Sequence, residues 1–140
     1  MTGVQTCALP ISWTPVVTST GGTYANQAGR YTKIGRTVIC DFFVQNNTSF
    51  TYASTSAVWT ITGLPFTPAS FSYNGPTGSM WSQNFNFNND QGAGVTVVTP
   101  TAQSNATIIF RTSVSGGTSG QIINNNNTGF IVTGQVVFKV

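Results

Sequence analysis

Side chains able to do acid–base or nucleophilic chemistry are scarce in this chain of 140 residues. It has no histidine and no glutamate, and its two carboxylates are Asp41 and Asp90. Glycosidases ordinarily need two carboxylates close together across the scissile bond, but Asp41 falls in a strand-like run and Asp90 in a loop-like one. A serine or threonine nucleophile would need Lys33 or Lys139 as its base, and no motif supports either. The sequence therefore predicts that the protein is not an enzyme.

Oxygen ligands for a metal ion occur in one loop-like stretch, residues 88–90, which offers two amides and one carboxylate. A calcium site usually takes several carboxylates, so this stretch is better explained as a turn. The sequence predicts no metal site and no cofactor.

The distribution of charged and of apolar residues argues against nucleic acid and against the membrane interior as partners. Five cations against two acids give a net charge of +3, but the cations are spread along the chain and form no basic run. This distribution predicts no nucleic-acid binding. The apolar runs are far shorter than the ~20 residues needed to span a bilayer as a helix, which predicts no membrane insertion.

Aromatic side chains that alternate with polar ones are the best indication of a binding site. Trp81, Phe85 and Phe87 alternate with serine and asparagine. An exposed aromatic ring can stack on a sugar while neighbouring amides bond its hydroxyls, although the same rings could instead fill a core. The candidate ligand-binding residues are Tyr73, Trp81, Asn84, Asn86 and Asp90.

The elements that must position these residues are short β-strands. Serine, threonine, asparagine and glutamine account for 57 residues, whereas only seven residues are charged. From Trp13 onward, apolar and polar residues alternate with period two between segments rich in Gly, Pro and Asn. This pattern predicts an all-β antiparallel β-sandwich or jelly-roll-like domain of about eight or nine strands.

Two segments show the alternation most clearly. The expected core faces consist of Val38, Cys40, Phe42 and Val44 in one segment and Phe130, Val132, Val136, Phe138 and Val140 in the other. Cys40 is expected to be a small buried apolar side chain. Ile39 and Phe43, on the opposite face, would need a cover from a sheet edge, a loop or a neighbouring subunit.

Other strands are expected at several places along the chain. A hairpin partner covers residues 29–35 and ends in a tight turn at residues 34–36. The remaining strands are expected at residues 13–18, 57–62, 71–73, 80–87, 95–99 and 107–113, and Trp59 is expected in the core.

Three stretches in order resemble the C-terminal β-sandwich domain of tailed-phage tail fibres and related virion appendages: WTPVVTSTGGTYANQAGRYTKIGRTVICDFFV, WTITGLPFTP and TGFIVTGQVVFKV. The resemblance implies a homotrimer on the virion, extracellular when the particle is free, that attaches to host-surface polysaccharide or another receptor. Its motifs belong to the scaffold and identify no binding residues. The closing strand departs from the family, with residues 133–136 in place of its SGTY ending. An alternative is a monomeric carbohydrate-binding or adhesin module of a secreted bacterial protein.

The first eleven residues, MTGVQTCALPI, resemble the translation of a sequencing-library adapter. We expect residues 1–11 to be an artefact outside the fold, and residues 12–140 to form one β-sandwich domain, the C-terminal fragment of a longer protein. The missing upstream region would contact other virion proteins. In that case Cys7 is not biological and Cys40 is a lone thiol.

Overall fold

The computed structural model describes residues 9–18, 22–48, 60–70, 78–84, 97–103, 105–113, 120–121 and 129–140. These residues form strands and turns without a helix, which confirms the all-β prediction. The strands are β1 (Ile11–Trp13), β2 (Val16–Val17), β3 (Tyr24–Ile34), β4 (Thr37–Asn46), β5 (Thr60–Thr62), β6 (Gly78–Gln83), β7 (Val97–Gln103), β8 (Thr107–Ser113), β9 (Gly120–Gln121) and β10 (Ile131–Lys139).

The strands form two antiparallel sheets that pack face to face as a sandwich. Sheet A has the order β1-β3-β4-β10-β6, and sheet B has the order β2-β5-β8-β7 with β9 also paired to β8. Both sheets contribute to one hydrophobic core. At its centre, the rings of Phe42 and Phe110 meet edge to face, with centroids 6.1 Å apart. This is a favourable geometry for two aromatic rings.

The predicted alternation of β4 and β10 is confirmed. The two strands pair over nine successive residues of each, so their side chains match in register and face. The buried inner face includes Val38, Cys40, Phe42, Val44, Phe130, Val132, Val136 and Phe138. We call the opposite surface, which carries the intervening residues, the outer face of sheet A. Ile39 and Phe43 lie on this outer face and are partly buried in the single chain.

The strand expected at residues 13–18 is instead two strands in different sheets. β1 pairs with β3 in sheet A, whereas β2 pairs with β5 in sheet B. Pro15 lies between them and has no N–H to donate to a ladder, so regular pairing is interrupted there. The change of sheet lets Trp13 and Val17 both enter the core.

The Trp13 side chain packs on sheet A and is fixed there by hydrogen bonds. Its indole Nε1 donates to the carbonyl oxygens of Arg30 at 3.3 Å and Asp41 at 3.1 Å. A Cβ on Gly29 would lie 2.5 Å from the indole ring, so the ring can pack here only because residue 29 is glycine. Trp13 therefore acts in packing.

The GRYTKIG and GLPF segments contact each other through aromatic side chains. The rings of Tyr31 and Phe66 pack edge to face with centroids 5.5 Å apart, and the Lys33 Nζ lies 5.8 Å from the Phe66 centroid. Leu64 is buried in the core. These contacts make both motifs part of the scaffold.

The β3–β4 hairpin has the expected tight turn. Its two central residues are Gly35 and Arg36, and Gly35 has a φ of 58°. The φ of Arg36 is not positive, and a positive φ at the first central position alone distinguishes a type II′ turn from type I′. Glycine adopts this conformation without steric cost.

The remaining strand predictions differ from the structure mainly at their ends. β6 begins at Gly78, two residues before the expected start, where Gly78 pairs with Val136 of β10. A Cβ at this position would overlap the Gln135 carbonyl, so the close approach of the two strands requires glycine. β7 continues to Gln103, beyond the expected end. The predicted strand at 71–73, Trp59, Phe85 and Phe87 lie outside the described residues.

Near the N-terminus, Ile11 pairs with Tyr31 in β1 while its side chain is 54% exposed. Leu9 is 79% exposed. Residues 1–8, including Cys7, lie outside the described residues, so the adapter origin of residues 1–11 stays a prediction.

Candidate ligand-binding site

Trp81 is a large aromatic side chain that the core does not bury. It lies on β6, an edge strand of sheet A, and is 55% exposed. The alternation of β6 places Trp81 on the outer face, where its Cα partner on β10 is Thr133. Thr133 in turn pairs with Phe43 on β4. The indole is therefore held at the rim of a rigid, hydrogen-bonded sheet.

A shallow depression of about 530 Å³ lies beside Trp81. Its walls come from β4, β6 and β10, three adjacent strands, which means that its shape depends on regular backbone rather than on loops. The lining residues are Asp41, Ser79, Met80, Trp81, Thr133, Gly134 and Gln135.

Two polar side chains of the depression are joined across the sheet. Gln135 Nε2 donates to Asp41 Oδ1 at 2.8 Å, and both side chains are exposed. A carboxylate offers about four lone-pair positions, so Asp41 can also accept hydrogen bonds from a ligand. Thr133 differs, because its hydroxyl donates to the Phe42 carbonyl at 3.1 Å.

The described residues include two of the five predicted ligand-binding residues. Trp81 lies at the depression. Asn84 follows the end of β6 with a φ of 54°, and its Nδ2 donates to the Gly129 carbonyl at 3.5 Å, so it does not line the depression. Tyr73, Asn86 and Asp90 lie outside the described residues.

Sequence reasoning missed the polar partners of Trp81. Asp41 is exposed on the outer face, but nothing local in the sequence indicates that it lies near Trp81. Gln135 and Ser79 complete the polar lining. The alternation of β4 and β10 places Asp41 and Gln135 opposite the core face, but Ser79 precedes the strand expected at 80–87. The juxtaposition of these residues depends on the β4–β10–β6 pairing.

Cys40, which precedes Asp41 in β4, is not a reactive nucleophile. Cys40 points to the inner face and is fully buried. Burial, and secondarily the charge of Asp41, raises the pKa of the Cys40 thiol to about 12. Because the thiolate is the reactive form, Cys40 is inert in the folded protein at neutral pH.

Within the described ranges, no three His, Cys, Asp or Glu side chains are grouped closely enough to hold a metal ion. The chemistry of the depression is instead that of an aromatic ring beside neutral and acidic hydrogen-bonding groups. Such a surface can bind a polar ligand that also has an apolar face.

Comparison with protein-family models, curated proteins and solved structures gave no match to this chain. No helix suited to crossing a membrane occurs in the part of the chain that the structure describes.

Proposed function

We propose that this chain is a non-catalytic glycan-binding domain of a phage virion appendage, and that it holds host-surface polysaccharide at the depression beside Trp81. The observation that carries the proposal is the position of Trp81, more than half exposed in a depression whose lining combines apolar surface with hydrogen-bonding side chains. An indole in solvent leaves apolar area hydrated, which a ligand can cover with a gain in free energy.

Sugars match the chemistry of this surface. A pyranose ring has C–H groups on its faces and hydroxyls around its edge. Trp81 offers a flat ring for the C–H groups, while Asp41 and Gln135 offer acceptors and donors for the hydroxyls. Because Asp41 and Gln135 are already joined at 2.8 Å, little side-chain freedom is lost when a ligand binds.

The virion setting rests on the resemblance of the three ordered sequence stretches. The packing roles of Trp13, Tyr31 and Phe66 support the interpretation of those stretches as scaffold.

We further propose that the domain is a homotrimer. Subunit contacts across the outer face of sheet A would cover Trp81, so the proposal places them on another surface.

The glycan-binding part is tested with Trp81→Ala. We expect the wild-type protein to bind at least one microbial surface glycan on an array, and Trp81→Ala to weaken that binding by about tenfold or more, as calorimetry would measure. The control is Ile34→Ala, which shortens an exposed apolar residue at the hairpin end of the same face, away from the depression. Equal affinity of wild type and Trp81→Ala would refute the site.

The virion part is tested separately. Multi-angle light scattering of the purified chain should give the mass of a trimer, and the genomic neighbourhood should contain phage tail genes. A stable monomer encoded next to a glycosidase domain would favour the secreted carbohydrate-binding module instead.

A further inference from the structure

A continuous row of polar side chains crosses all five strands of sheet A on its outer face. From β1 to β6 the row consists of Ser12, Arg30, Asp41, Gln135 and Ser79, which are successive Cα partners. All five residues are exposed. We call them the polar row. With strands ~4.8 Å apart, the row is ~19 Å long and runs perpendicular to the strands.

Apolar side chains lie along both sides of the polar row. On one side, Ile39 and Val137 are Cα partners two residues further along β4 and β10. On the other side, Phe43 and Trp81 flank Thr133. Val137 is 38% exposed and Trp81 is 55% exposed. The outer face therefore presents a polar row between two short apolar rows, of which the second is interrupted by Thr133.

We propose that the polar row binds several consecutive sugar units of one glycan chain laid across the strands. This inference rests on the proposed function and adds to it the length and direction of the ligand. A glycan chain has a repeating edge of hydroxyls flanked by C–H surface. The polar row repeats a hydrogen-bonding group at every strand, and the apolar rows can cover the C–H surface.

The groups of the polar row suit neutral hydroxyls. Arg30 is a donor, Asp41 is an acceptor, and Gln135 has both functions, as do the two serines at the ends. A sugar hydroxyl can both donate and accept, so each of these side chains can bond to one. The one cation and one anion of the row cancel, which favours a neutral glycan over a polyanion.

The test separates the far end of the polar row from Trp81. Calorimetry would measure the affinities of glucose-, galactose- and mannose-based ligands, each from monosaccharide to hexasaccharide. We expect affinity in the series that binds to rise with chain length. Arg30→Ala should weaken binding of the hexasaccharide by about tenfold, since a hydrogen bond to a charged group is lost, and should leave the shortest bound ligand unaffected.

Lys139→Ala is the matched control, because it removes the same charge from the same outer face but outside the polar row. It should leave every affinity unchanged. Binding that depends on Trp81 but does not grow with chain length, or that is insensitive to Arg30→Ala, would overturn the polar-row proposal and leave the proposed function standing. Binding that is insensitive to Trp81→Ala would overturn the proposed function itself. An oligomer that buries Arg30 would also overturn the polar-row proposal.

Discussion

Gln135 Nε2 donates a 2.8 Å hydrogen bond to Asp41 Oδ1 directly across the β10–β4 pair. The two residues are 94 positions apart in the chain, and their backbone partnership fixes the separation of their side chains. Both residues line the depression beside Trp81. Their hydrogen bond gives the site a carboxylate whose orientation is set before a ligand arrives.

Asp41→Asn should lower glycan affinity without unfolding the domain. Asparagine keeps the size of the side chain and an acceptor for Gln135, but it loses the charge that strengthens hydrogen bonds from ligand hydroxyls. We expect about tenfold weaker binding by calorimetry. The unfolding free energy in urea should change by less than about 0.5 kcal/mol, because the residue is exposed. Unchanged affinity would show that the carboxylate does not contact the ligand.

Gly29→Ala should destabilise the sandwich. The new Cβ would overlap the indole of Trp13, which must then move from its hydrogen bonds to the Arg30 and Asp41 carbonyls. Overpacking of this kind costs about 1–3 kcal/mol of unfolding free energy. The neighbouring variant Ala28→Ser, on the exposed outer face, should be neutral in the same urea titration. Equal stability of the two variants would show that packing of the Trp13 indole against Gly29 does not contribute to the free energy of unfolding.

Thr101→Val should stabilise the protein. Thr101 is fully buried, and its Oγ1 has no hydrogen-bond partner among the described residues. Valine has nearly the same shape and removes the unsatisfied hydroxyl, so the free energy of unfolding should rise by about 1 kcal/mol. Thr107→Val provides the contrast, because the Thr107 hydroxyl donates to Asn105 Oδ1 and its removal should bring no gain. A less stable Thr101→Val protein would indicate that the hydroxyl is satisfied.

Cys40 should make stability depend on pH in the alkaline range. Its pKa is raised from 9.0 to about 12 by burial and, secondarily, by Asp41, so the folded state holds the thiol proton more tightly than the unfolded state. The resulting stabilisation is complete below pH 9 and is lost as pH rises towards 12, with a slope of at most about 1.4 kcal/mol per pH unit.

Cys40→Ala is the comparison for this prediction. The variant should be less stable at neutral pH because of the smaller core side chain, but its stability should fall less steeply above pH 9. Tyr24, whose pKa is also raised by burial, titrates in both proteins and cancels in the difference. Parallel pH profiles, or rapid alkylation of Cys40 in the folded protein at pH 9, would contradict the burial argument.

Local sequence determined the fold class and the faces of the strands. Alternation with period two is visible within a few residues, which is why the inner face of β4, from Val38 to Val44, could be predicted from the chain alone. Gly35 likewise marks its hairpin turn locally. The exposure of Trp81 was left open between core and ligand platform, because alternation does not say which face of an edge strand a second sheet covers.

Tertiary structure alone decided which residues share the candidate site. The polar row joins residues from β1, β3, β4, β10 and β6, and strands far apart in the chain become neighbours only when the sheet order and register are set. A shift of one residue between β4 and β10 would turn the side chains of one strand to the other face. Sequence therefore determined which side chains of β4 and β10 face away from the core, whereas the long-range pairing of β10 with both β4 and β6 brought Asp41, Gln135 and Trp81 together.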